Sequence, residues 1–249
     1  MEFAKLFYQR MAQSVGQRVI QTLQTTVIGQ TGVSPTGAVI FLHGSGDNGH
    51  GVQDWVQGLM NQQFMFSHLK VIFPSAPFMP YTLYGGEPST VWFDRLDLSP
   101  MAPEHLESIN SMAENLKALV LKEVDSGIPL ERIAVGGFSM GGAMSLHLAY
   151  RYLPQVAGVF GLSCFLNENS EVYKALGVGQ LQNQTAPPLF QTHGDNDTLV
   201  PSSWGNATHL KLSKLGVNAS FRSFPRTEHE LRKPALKALY SWLLDRIPV

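Results

Sequence analysis

The residues with the clearest chemical meaning are Gly137-Phe138-Ser139-Met140-Gly141, a G-x-S-x-G stretch set between the β-branched run RIAV and the helical pattern MSLHLAYR. A serine at so sharp a strand-to-helix turn needs strained backbone angles, and side chains two positions either side would collide, hence the glycines. Ser139 would then project its hydroxyl from the crest of a sheet, where the positive end of the following helix favours developing negative charge. A hydroxyl becomes a useful nucleophile only when a base takes its proton, so a histidine and an orienting carboxylate must arrive from elsewhere. Behind a serine of this kind they follow in the order Asp or Glu, then His. PLFQTHGDNDTLVP supplies Asp195 and Asp197, and FPRTEHELRKP supplies His229 just before the last helical pattern. His193 precedes both acids and is expected to bond loop backbone.

A second stretch, HGSGDNG from His43 to Gly49, carries Gly44, Gly46 and Gly49 at the spacing of a dinucleotide-binding turn. That use requires a helix opening at the third glycine and an acidic residue about 20 positions on, at the end of the next strand. The next strand ends in FPSAPF, which has no carboxylate, and Asp47 inside the turn would oppose a pyrophosphate. No glycine is followed by Lys and then Ser or Thr, which removes the P-loop reading. DNDTLVP lacks the glycine and the distant Glu of a calcium loop. The remaining histidines, His50, His68, His105, His147 and His209, have no metal-ligand spacing. Neither a cofactor nor a metal is expected. His43 should orient the glycine turn, and Asp47 should serve the turn or cap a helix.

These residues need a scaffold. Strand-length apolar runs occur at AVIFL (38–42), KVIF (70–73), RIAVGG (132–137), VAGVFGL (156–162), PLFQTH (188–193) and ASFRSF (219–224). Nearly continuous runs fit strands covered on both faces. Between them, helical spacing places Leu106, Ile109, Ala113, Leu116, Val120 and Val124 on one stripe that stops at Gly127. Further helices are expected from Ser202 to Gly216 and around Leu236, Leu239, Tyr240 and Leu243. Such alternation predicts a mostly parallel sheet between helices, with its strand-end loops gathered at one ligand-binding edge. TLQTTVIGQTG could add antiparallel pairing at one side.

The chain has 249 residues, is 44% hydrophobic and carries a formal net charge of −1. This fits one packed domain and supplies no field to attract nucleic acid. No stretch approaches the roughly 20 apolar residues that span a bilayer, so stable membrane insertion is not expected. The acid-poor start, with Lys5, Arg10 and Arg18 against Glu2, allows a presequence or a membrane-surface helix. The reading adopted is a loosely ordered extension over residues 1–30, followed by one domain over 31–249. Cys164 is the sole cysteine, which excludes an intrachain disulfide and favours a reducing, cytoplasmic setting, with the thiol buried and inert.

FLHGSGD, VWFDR, PEHLESI, GGFSMGG, HLAYR, VAGVF, LSCFLN, HGDNDTLVP and the final histidine, in that order, resemble the acyl-protein thioesterase and lysophospholipase group of α/β-hydrolases. The resemblance implies an α/β-hydrolase fold without a large cap domain, and Ser139 as nucleophile, Asp197 as acid and His229 as base. It also implies an oxyanion hole built from the backbone N–H groups of Ser45 and Met140, with Trp92 near the acyl pocket. HGSGDNG then becomes the oxyanion turn, since an anionic intermediate needs two backbone donors aimed at one point. Implied substrates are small acyl esters or thioesters, with S-acylated proteins or lysolipids as candidates. The group usually carries Leu at the position of Ser45 and Gln at that of Met140, which bears on acyl preference. The competing reading is a catalytically weak binding or scaffold member of the fold.

Overall fold

The computed structural model describes residues 20–29, 32, 34–177 and 186–249. Along the chain lie β1 (Thr25–Ile28), β2 (Gly37–Leu42), α1 (Gly49–Met60), β3 (Leu69–Pro74), β4 (Phe78–Pro80), β5 (Pro88–Thr90) and α2 (Leu106–Asp125). There follow β6 (Ile133–Phe138), α3 (Met140–Arg151), β7 (Gly158–Leu162), α4 (Glu171–Gly177), β8 (Leu189–Gly194), α5 (Ser202–Lys214), β9 (Ala219–Phe224) and α6 (Lys233–Arg246).

The main sheet runs β1-β3-β2-β6-β7-β8-β9, with β1 antiparallel to β3 and every other pairing parallel. β2 shows why its sequence is apolar throughout. Ala38, Ile40 and Leu42 enter one core layer, together with Ile109 and Leu116 of α2 and Met144 and Leu148 of α3. Val39 and Phe41 enter the opposite layer, with Val52 and Val56 of α1 and Leu236, Leu239 and Leu243 of α6. Successive side chains of a strand point to opposite faces, so burial on both faces requires an unbroken run.

Three details differ from the sequence reading. β9 is not covered on both faces: as the edge strand it alternates between exposed and half-buried residues and ends the sheet with Arg222 outward. Charge on a terminal strand blunts edge-to-edge pairing. β1 supplies the antiparallel pairing expected of TLQTTVIGQTG, but it lies inside the stretch expected as an extension, so the ordered sheet begins before residue 31. Residues 1–19, on which the presequence and surface-helix readings fall, lie outside the described residues. Finally, α1 opens at Gly49, the third glycine of the turn, and its N-cap is Asn48, whose side chain accepts from the Gly51 N–H, in place of Asp47. The helix condition for dinucleotide binding is therefore met, while the acidic residue remains missing where β3 leads into Ser75 and Ala76.

Candidate active site

The strand-to-helix turn after β6 holds Ser139 at φ 52° and ψ −120°, a conformation that costs a non-glycine residue on the order of 1–3 kcal/mol. Surrounding packing enforces it. A Cβ at Gly137 would lie 2.4 Å from the Leu42 carbonyl oxygen, and one at Gly141 would lie 2.5 Å from the carbonyl oxygens of Leu42 and His43. The two glycines thus let the elbow sit directly on the end of β2. The Ser139 N–H donates to the Leu162 carbonyl at 2.8 Å, which ties the elbow to β7.

Asp197 and His229 reach the same rim from the loops after β8 and β9. These loops are stitched together by Asp195 N–H to Phe224 O at 3.1 Å and Asn196 N–H to Thr227 O at 3.0 Å. Asp197 Oδ1 accepts from the N–H groups of Leu199 and Val200 at 3.1 and 2.8 Å, which fixes the carboxylate. Its Oδ2 accepts from His229 Nδ1 at 2.7 Å, and His229 Nε2 lies 2.9 Å from Ser139 Oγ. With Nδ1 donating, Nε2 is left as an acceptor facing the hydroxyl. Asp195, the other acid the sequence offers, is exposed and stands outside this chain of bonds. His193 behaves as expected: Nε2 donates to the Val200 carbonyl at 2.8 Å. Burial lowers its proton affinity and keeps it neutral beside Asp197.

The HGSGDNG turn lies opposite. Ala76 N–H donates to His43 Nε2 at 3.0 Å while Nδ1 meets the Gly44 carbonyl at 2.6 Å, so a neutral imidazole braces the turn from behind. Burial depresses its pKa, which preserves the acceptor that Ala76 needs. Gly46 N–H donates to Thr90 O and Asp47 N–H to Gly44 O, whereas the Ser45 N–H has no acceptor among the described residues. Met140 opens α3, so its N–H belongs to the first-turn donors without an intrahelical partner. The two residues that depart from the thioesterase pattern touch each other, Ser45 Oγ lying 3.6 Å from Met140 Sδ.

Trp92 requires a correction as a substrate-binding residue. It is fully buried and lines no part of the cavity at Ser139. Its indole N–H donates to the His43 carbonyl at 2.8 Å, and its ring lies 4.8 Å from that of His43. It supports the turn from one layer back.

The cavity itself is about 350 Å³, toward the small end for ligand sites. Ser45, Ser139, Met140 and His229 lie on it, with Tyr81, Leu83 and Tyr84 of the aromatic segment after β3 as apolar wall. Arg95 and Phe165 also line it; both lie in stretches that carry the resemblance, VWFDR and LSCFLN, but neither is singled out there as a site residue. Cys164 is buried, free and pushed up to about 12 by desolvation, which makes it an inert thiol. Among the described residues no group of three His, Cys, Asp or Glu could hold a metal ion.

A strained serine at a strand-to-helix turn, above a mostly parallel sheet clad by helices, defines the α/β-hydrolase fold class. Residues 23–246 match the model of the Phospholipase/Carboxylesterase family, and the chain belongs to that family, whose members hydrolyse carboxylic ester bonds. It is 51% identical over 220 residues to mouse lysophospholipase-like protein 1, covering 87% of this chain and 91% of that protein. It is 33% identical over 218 residues to acyl-protein thioesterase 1 of Neurospora crassa, covering 86% and 88%. The crystal structure of Zea mays acyl-protein thioesterase 2 superposes with a TM-score of 0.76 at 27% identity, covering 90% of this chain and 99% of that one.

Proposed function

We propose that the protein cleaves acyl ester or thioester bonds through a covalent acyl-enzyme on Ser139, within a single catalytic domain that starts near β1. The observation that carries this reading is His229 standing 2.9 Å from Ser139 Oγ and 2.7 Å from Asp197 Oδ2, beneath a serine held at positive φ. His229 Nε2 takes the hydroxyl proton as Oγ bonds to the substrate carbonyl carbon. The oxyanion of the tetrahedral intermediate accepts from the Ser45 and Met140 N–H groups. Asp197 holds the tautomer and stabilises the imidazolium, which then protonates the departing alcohol or thiol. Water, deprotonated by the same nitrogen, attacks the acyl-enzyme, and collapse returns the proton to Oγ and frees the acid.

The small cavity favours short acyl chains over long ones, and S-acylated proteins or lysolipids enter only with much of their chain outside. Cytoplasmic residence is part of the same reading, resting on the single free cysteine. Among the described residues no helix is long and apolar enough to cross a membrane. The test is a chain-length series of matched oxyesters and thioesters on the wild type and on Ser139→Ala. Turnover should fall by roughly 10⁶ in the variant. Undiminished turnover would refute the assignment.

A further inference from the structure

The wall of the cavity holds a cation without a counter-ion. Arg95 is only 7% exposed, yet no hydrogen bond or salt bridge joins its guanidinium to any oxygen of the described residues, and Nη1 is closed from solvent with no partner. The group is clamped between two rings, its Cζ 5.3 Å from the Phe93 centroid and 4.6 Å from that of Phe165. Ring faces attract a cation and hold the planar fork in one orientation, but they supply no acceptor for its N–H groups. The carboxylate whose charge reaches it, Glu104, lies 3.1 Å from His147 Nε2 through Oε1 and accepts from the Glu171 N–H at 3.0 Å through Oε2, and it forms no ion pair with Arg95. Burial disfavours the charged form, but a guanidinium does not release its proton in proteins, so the charge persists. A buried, hydrogen-bond-hungry cation of this kind is costly unless something satisfies it.

The position of Arg95 in the cavity indicates what that is. Arg95, Cys164 and Phe165 form a closed wall of buried residues, whereas Leu199 and Tyr84 on the same cavity are more than half exposed. A leaving group must depart toward the open side, so the closed wall belongs to the acyl part of the substrate. Asp47, the one carboxylate that lines the cavity, is on the half-buried glycine turn and does not bond to Arg95.

We propose that Arg95 receives a carboxylate at the far end of a short acyl chain whose scissile carbonyl is bound at Ser139, which makes the protein selective for ω-carboxyacyl esters and thioesters. This rests on the hydrolase reading above and names its substrate class. A planar fork matches a carboxylate, and one charge-assisted pair at a buried guanidinium is enough to set preference.

The test compares four thioesters by thiol release. They are the N-acetylcysteamine thioesters of hexanoate, of 5-carboxypentanoate and of its methyl-capped form, and the hexanoyl thioester of 3-mercaptopropionate. The wild type should favour the carboxyl-ended chain over hexanoyl by roughly 10- to 100-fold in kcat/KM, expressed mainly in KM. The methyl-capped chain should lose the advantage, and the anionic thiol should gain none. Arg95→Met should bring the ratio to one or below, and Arg95→Lys should keep part of it, with fluorophosphonate labelling and melting temperature reporting that each variant is folded. A wild type that cleaves hexanoyl as fast as the carboxyl-ended chain, an anionic thiol that is preferred, or a ratio unchanged in Arg95→Met would each overturn the proposal and leave the hydrolase reading standing. Failure to cleave any thioester, with no fluorophosphonate labelling of Ser139, would instead remove the hydrolase reading and this inference with it.

Discussion

Among the carboxylate–histidine pairs of the described residues, His147–Glu104 and His229–Asp197 are chemically alike but differently placed. His147 meets Glu104 at 3.1 Å with both side chains almost fully out of solvent, and its other nitrogen, Nδ1, lies 3.2 Å from Arg151 Nη1. His229 meets Asp197 at 2.7 Å, but its second nitrogen faces Ser139 Oγ on an open cavity. Each imidazole faces its acid through one nitrogen and a polar partner through the other. What separates them is the far partner: a guanidinium offers His147 a hydrogen bond and nothing to activate, whereas a hydroxyl offers His229 a transferable proton. A carboxylate and a histidine therefore make a proton-transfer device only through the third group, and in its absence they are a buried cross-link between the loop before α2 and helix α3.

Removing either imidazole should separate the two roles most sharply. His229→Ala should lower kcat by about 10⁶, and Asp197→Asn, which permits the wrong tautomer, by about 10⁴. Steady-state turnover of one short thioester reads both. Trp92→Phe keeps the ring but removes the donor to the His43 carbonyl, so the oxyanion turn loosens and kcat should fall roughly tenfold with KM little changed. His147→Ala should leave kcat/KM within a few-fold of wild type yet cost about 3 kcal/mol in urea unfolding, because Glu104 keeps its buried charge without the partner. If His147→Ala abolished turnover in a fully folded protein, the contrast between the pairs would fail.

The smallest effect concerns acid. Burial would raise the Glu104 pKa, but the hydrogen bond and charge of His147, with Ser170 and the Glu171 N–H, outweigh this and hold it at about 2. A carboxylate depressed in the folded state contributes stability above its unfolded pKa and loses it as pH falls toward the folded value. His43 and His193 are also depressed, by burial. Below the ordinary histidine range their unfolded rings bind protons that the folded rings refuse, so stability declines there first. Urea unfolding midpoints should fall modestly from neutral pH to about 5 and then more steeply below about 4.5. A midpoint rising on acidification would contradict the burial of both rings.

How far the sequence could be read follows from what each element needs from its neighbours. β2 and β6 announce themselves because burial on both faces demands continuous apolar residues, and the elbow does so because its glycines answer a local steric demand. α1 was hidden: Gly49, Gly51 and Gly58 give it poor intrinsic propensity, and only packing of Val52, Val56 and Met60 against the sheet sustains it. Asp195 and Asp197 are equivalent as residue types, and residue spacing left them open until family resemblance favoured the second. The loop geometry separates them, burying one and exposing the other. Trp92 was placed in the right neighbourhood but on the wrong surface, since only three dimensions decide whether an indole faces a cavity or the turn behind it. Arg95 stands in the quoted stretch VWFDR, but its lack of a hydrogen-bond partner depends on every surrounding residue and has no signature in sequence.

The central claim is that Ser139 carries the acyl group between two half-reactions. The direct measurement is rapid acid quench during turnover of a short thioester, followed by mass spectrometry of the intact protein and its peptides. One acyl increment is expected on the peptide containing Ser139, lost when substrate is exhausted. An increment on Ser45 or Ser163 instead, or full turnover with no covalent species under conditions where deacylation is slowed, would contradict it.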